Sequence, residues 1–104
     1  MKSIVLIYAV LAMPLLTYAD PAEGKAVFAK SCRPCHGPEG EGNAAVAKAL
    51  KAEIPPLGSE QVQSRSDEEL KQAISQGKGK MKPVAAVSGK PLDDVVAHLR
   101  TLKK

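Results

Sequence analysis

The sequence predicts an all-α fold on three observations. Four stretches carry helix start or stop signals, no stretch shows the alternation or β-branched enrichment of a strand, and most Gly and Pro residues gather between the four. No internal repeat appears, and 104 residues allow one small domain.

The first segment reads as a leader, not as part of that domain. Lys2 gives a minimal positive start, Ile4 to Leu16 is apolar except for Pro14, and Thr17-Tyr18-Ala19 ends in a small residue before Asp20. This predicts a signal peptide over residues 1–19, cleaved after Ala19, and a domain over residues 20–104. The alternative, a retained membrane anchor, has too short an apolar run for a bilayer that takes about 20 residues. Export from the cytoplasm is therefore expected, with no retained membrane span.

Asp20-Pro21-Ala22-Glu23 supplies an N-cap, a Pro at the first helical position and an acid behind it, so a helix is expected from Pro21 to Ser31. After His36, the run Gly37-Pro38-Glu39-Gly40-Glu41-Gly42 is a loop. Asn43 to Glu53 is rich in Ala, Lys and Leu and should be helical until Pro55 and Pro56 stop it. Ser66-Asp67-Glu68-Glu69 is a capping box, with Leu70, Ala73, Ile74 and Gly77 at helical spacing behind it and Gly77 and Gly79 ending the helix. Pro91 opens a last helix with Leu92, Val95, Val96, Leu99 and Leu102 on one stripe. Asp93 and Asp94 near its start and Lys103 and Lys104 at its end suit the helix dipole.

Between the first helix and the Gly-rich loop stands Cys32-Arg33-Pro34-Cys35-His36. Positions i, i+3 and i+4 of a helical turn share a face, so two thiols and an imidazole can meet one flat object. That is the pattern of c-type haem attachment, with two thioethers and one iron ligand. A structural zinc needs four ligands, and outside the motif the chain has no Cys and only His98. A redox dithiol belongs in an α/β fold, and no strands are predicted here. A plain disulfide leaves the adjacent His unexplained.

Removing the leader leaves 85 residues, with Phe28 the only aromatic and Met81 the only Met. A core that small needs a staple, and a large covalent cofactor would be one. The net charge falls from +4 to +3 as Lys2 is lost. Such a balance, with no aromatics to stack on bases, gives no reason to expect nucleic acid as a partner.

The segment from residue 20 to 104 resembles a small class I bacterial cytochrome c. The resemblance is carried by Gly24-x-x-x-Phe28 ahead of Cys32-x-x-Cys35-His36, by Gly77-Lys78-Gly79-Lys80-Met81-Lys82-Pro83, and by Val95-Val96-Ala97-His98-Leu99-Arg100-Thr101-Leu102. It implies three main helices plus one or two shorter ones around one covalently bound haem c. Cys32 and Cys35 would hold the haem, with His36 and Met81 as axial ligands to iron. It also implies that Gly24 and Phe28 cross the last helix near Leu99, that His98 is a packing residue or an exposed helix His and not a ligand, and that Pro55 in Pro55-Pro56-Leu57 accepts a hydrogen bond from the His36 ring. Two departures stand out: no Tyr or Trp follows residue 19 to serve the haem propionates, and Lys82 separates Met81 from Pro83.

With both axial positions filled, the expected function is one-electron transfer and not catalysis. The expected protein is a soluble periplasmic carrier, or else the electron-entry subunit of a larger oxidoreductase; a gas-binding or peroxidatic protein would need Met81 to leave easily. Lys78, Lys80 and Lys82 flank Met81 and could steer an acidic partner, such as a membrane reductase or oxidase, to the haem edge.

Overall fold

This computed structural model describes residues 18–104, so the expected leader lies almost wholly outside the described residues. Six helices follow in order: α1 (Pro21–Ser31), α2 (Arg33–His36), α3 (Ala44–Leu50), α4 (Glu60–Gln63), α5 (Asp67–Gln76) and α6 (Lys90–Thr101). Among the described residues there is no strand, only an isolated antiparallel bridge between Lys78 and Met81. The all-α expectation holds. The shorter helices number three rather than one or two, because the haem-type motif and the stretch behind Ser59 each wind into a single turn.

Local chemistry accounts for most boundaries. The Asp20 side chain accepts from the Ala22 N–H and caps α1. Ser66 and Glu69 form the reciprocal capping box of α5. Helix α3 ends at Leu50, short of the expected Glu53 and before either Pro is reached. Lys51 takes the left-handed conformation at φ 52°, and the Ala52 N–H reaches back to Ala47 O at 3.0 Å, closing the helix with the bond pattern normally given to a Gly. Helix α6 starts one residue before Pro91, from Gly89 at φ 62°.

The core is built on α1 crossing α6. A Cβ on Gly24 would stand 1.9 Å from the Asp94 carbonyl oxygen and 2.9 Å from the Val95 nitrogen, so the two backbones meet with nothing between them. One turn on, Phe28 is buried with its ring centroid 5.2 Å from that of His98 and tilted by 57°. The crossing expected near Leu99 is therefore centred slightly earlier, at Asp94, Val95 and His98, and Leu99 is in the core behind it. His98 is a packing residue, as expected.

Helix α5 adds Leu70 and Ile74 to this core and α4 adds Val62. Polar ties fix α5 and α4 to α6. Lys71 meets Asp93 at 2.7 Å, and the Arg100 guanidinium reaches Asp67 Oδ1, Gln63 O and Arg65 O. These ion pairs are largely exposed and orient the helices more than they stabilise them.

Gly24→Ala would force a methyl group into backbone that cannot move independently of two helices. The expected cost is about 3 kcal/mol, at the upper end for overpacking, read from urea unfolding of the haem-loaded protein. A loss below about 1 kcal/mol would mean that the crossing is looser than described.

Candidate functional site

The site begins where α1 stops. The Cys32 N–H bonds Phe28 O at 2.9 Å, and the Cys32 carbonyl accepts from Cys35 N at 3.3 Å and from His36 N at 3.0 Å. This single turn is α2, with Cys32 as its N-cap and Cys35 and His36 within it, the helical spacing that would let the three share a face. Pro34 falls in the first turn of α2, where a missing N–H leaves nothing unbonded.

The three side chains differ in environment. Cys32 is buried, Cys35 is exposed, and neither is in a disulfide. Burial, with Cys35 beside it, pushes the Cys32 thiol up to about 11 and keeps it protonated at neutral pH. Burial also lowers the pKa of the half-buried His36, which favours a neutral imidazole with a free lone pair. His36 Nδ1 is buried and has no hydrogen-bond partner.

The bond expected from that nitrogen to the Pro55 carbonyl is thus not made. The segment around Pro55 is instead held by the Gly-rich loop: Leu57 N donates to Gly40 O at 2.8 Å, and Ile54 O lies 2.7 Å from where a Gly42 Cβ would be. Its backbone is anchored beside the motif rather than on the imidazole.

Asn43, read from sequence only as the start of α3, does more. Its side-chain oxygen accepts from Ala45 N and Val46 N, its amide nitrogen donates to Pro34 O at 3.3 Å, and its backbone N–H donates to Cys35 O at 3.0 Å. Gly42 N adds a bond to His36 O at 2.7 Å. The carbonyls left open at the end of α2 are thereby closed, which fixes the turn carrying the thiols and the imidazole. The signal was an Asn directly after a Gly run; its reach back to Pro34 depends on a loop path that no local pattern encodes.

Met81 arrives from a separate loop between α5 and α6. Lys78 and Met81 exchange backbone hydrogen bonds at 3.0 and 2.9 Å across a tight turn. Gly77, at φ 81°, starts that turn, and a Cβ there would sit 2.6 Å from Met81 O. Val84 N then bonds Ile74 O at 2.8 Å and hooks the loop to α5. Met81 is half-buried and packs against the core. Lys78, Lys80 and Lys82 are exposed, and Lys80 Nζ reaches Leu50 O, 2.6 Å away at the end of α3.

The donor set fits a covalent haem. It offers two free thiols and a neutral imidazole on one turn, and a thioether on a facing-in loop residue. Val27, Leu57, Met81, Val84, Leu92 and Leu102 pack on the core while remaining only partly covered. Among the described residues no three His, Cys, Asp or Glu side chains come together to hold a metal ion.

Over residues 19–99 the sequence matches the family described as cytochrome C oxidase, cbb3-type, subunit III. Among solved structures, the KustC0563 c-type cytochrome shares the fold with a TM-score of 0.65 at 24% sequence identity, covering 78% of this chain and 98% of that one. No curated protein matches the sequence.

Replacing Asn43 tests the clamp. Asn43→Ala should lower stability by about 1 kcal/mol, the usual size of a lost cap, in thermal melts of the haem-loaded protein. Asn43→Asp, which keeps the cap oxygen but not the donor to Pro34, should recover most of it. An unchanged melt in Asn43→Ala would count against the clamp.

Proposed function

This chain belongs to the family of cytochrome C oxidase, cbb3-type, subunit III; it is a small class I cytochrome c with covalently bound haem c, and we propose that it is an exported one-electron carrier with His36/Met81 axial ligation. The observation that carries this is the Cys32, Cys35 and His36 turn, with both thiols free and the imidazole's pKa lowered by burial.

In this proposal Cys32 and Cys35 would hold the haem through thioethers, and His36 on the same turn would ligate its iron. Met81, set by the Gly77 turn, would supply the second iron ligand, so that no coordination site would remain for a substrate. Haem c held in this way supplies a one-electron Fe(III)/Fe(II) couple whose potential the thioether raises. Val27, Leu57, Val84 and Leu92, packed on the core and only partly covered, would line the apolar side of the ring. With the ligands the same in both oxidation states, little has to rearrange on transfer. Cleavage after Ala19 would release the domain into the periplasm, and among the described residues no helix is long and apolar enough to cross a membrane.

The exposed Lys78, Lys80 and Lys82 support docking of an acidic redox protein, a membrane reductase or oxidase, beside Met81. A second reading is favoured by the family's description as an oxidase subunit: the chain would be the electron-entry module of a larger complex. Co-purification with a multi-subunit assembly under mild detergent would favour the second over the first.

Two measurements test the proposal. Carbon monoxide should leave the spectrum of the reduced protein unchanged and should bind the reduced Met81→Ala variant; binding to the unaltered protein would remove Met81 as a firm ligand. Electron exchange with an acidic partner should slow about tenfold from low to physiological salt, as expected for steered encounters, and Lys78→Gln with Lys82→Gln should flatten that dependence. A flat profile in the unaltered protein would sink the docking surface.

A further inference from the structure

We infer that Asp94 is the receiving site for a new chain terminus, the α-ammonium of Asp20 that cleavage after Ala19 creates. This rests on the export proposed above and adds what the cleavage does to the fold. Asp94 is the only buried carboxylate among the described residues, 4% exposed on the face of α6 that Gly24 meets. Its Oδ1 accepts from the backbone nitrogen of Asp20 at 2.8 Å, across 74 positions of sequence. Lys90, one turn earlier, places Nζ 2.9 Å from Oδ2 and 3.1 Å from Oδ1. The Asp20 N–H first, and Lys90 second, hold the Asp94 carboxyl below its usual range. Burying a carboxylate is costly unless it is paired, and one of its two partners here is the nitrogen at the expected leader junction.

Cleavage changes the chemistry of that nitrogen. Water adds across the Ala19–Asp20 peptide bond under an export-linked peptidase. The hydroxyl goes to the Ala19 carbonyl carbon, which leaves as the leader's carboxylate, and the Asp20 nitrogen gains hydrogens to become a three-donor cation at neutral pH. An amide N–H on Asp94 is replaced by a full charge in the same position, and such charge-assisted bonds are roughly twice as strong as neutral ones.

The surroundings favour a cation. From α1 come Asp20 and Glu23, from α6 Asp93 and Asp94, and from α5 Asp67; the positive groups are Lys90, Lys71 on Asp93 and Arg100 on Asp67. Ala19 itself is exposed beside a hollow of about 210 Å³ that Asp67, Lys71 and Asp93 also line, so its removal opens the terminus toward these groups. An α-amine titrates at about 7.7 to 8.0 when unpaired. Pairing raises that value in the folded protein only, so the added stability is full below about 7.7 and is lost as pH rises through the folded value.

The test uses exported, haem-loaded protein. Its terminus is read by mass, and its urea midpoint is followed from pH 6 to pH 10 beside a form that retains Ala19, each with Asp94 and with Asp94→Asn. The expected result is a terminus at Asp20, a higher midpoint than the Ala19-retaining form at pH 7, fading of that excess above pH 8, and its loss in the Asp94→Asn pair. A terminus elsewhere, equal midpoints at every pH, or an excess that survives Asp94→Asn would overturn the inference. Should Asp94→Asn not accumulate, the reaction of the Asp20 amine with an acylating reagent decides: titration above pH 8 supports the pairing, and titration at or below 8 overturns it. The haem band of the same samples reports separately on the haem assignment.

Discussion

The close crossing of α1 over α6 is the constraint on which the rest depends. It requires Gly24, because Asp94 O and Val95 N occupy the space a side chain would need. From that point α1 has a fixed direction, Phe28 falls on His98, and Cys32 is delivered at the helix end with its carbonyl free to start α2. The site is thus an extension of the core. A shift of the crossing would move the thiols and the imidazole together.

The second half of the site is positioned by different means. Met81 is set by backbone alone: a positive φ at Gly77, a two-bond turn with Lys78, and the hook of Val84 on α5. Helix α5 is in turn held to α6 by Lys71 and Arg100. Both halves therefore refer to α6, one through direct helix packing and the other through α5. This shared reference would let two loops distant in sequence serve one cofactor, as the proposed His36/Met81 ligation requires.

What could be read from sequence follows the range of the interactions. The caps at Asp20 and Ser66 and the stripe of α6 are local, and they place α1, α5 and α6 within a residue. The Cys32 to His36 turn is local as well. The early end of α3 at Lys51 escaped because a Lys adopts a conformation that sequence rules assign to Gly. The clamp of Asn43 on Pro34, the three-way grip of Arg100 and the Asp20–Asp94 bond are contacts between separate segments, and no pattern within one segment announces them. The Pro55 expectation failed for a related reason: the segment was rightly placed beside the motif, but its backbone is bonded to Gly40.

Phe28 is the only aromatic between residues 20 and 104, and it is sealed between α1 and α6 against His98. That region has no Tyr or Trp, whose side chains are the ones most readily oxidised to radicals. A domain so composed has no stepping stones for an electron hole, inward or outward. With no Tyr or Trp to hop through, charge in the proposed carrier would pass directly between its haem and a docked partner, so contact geometry would set the rate.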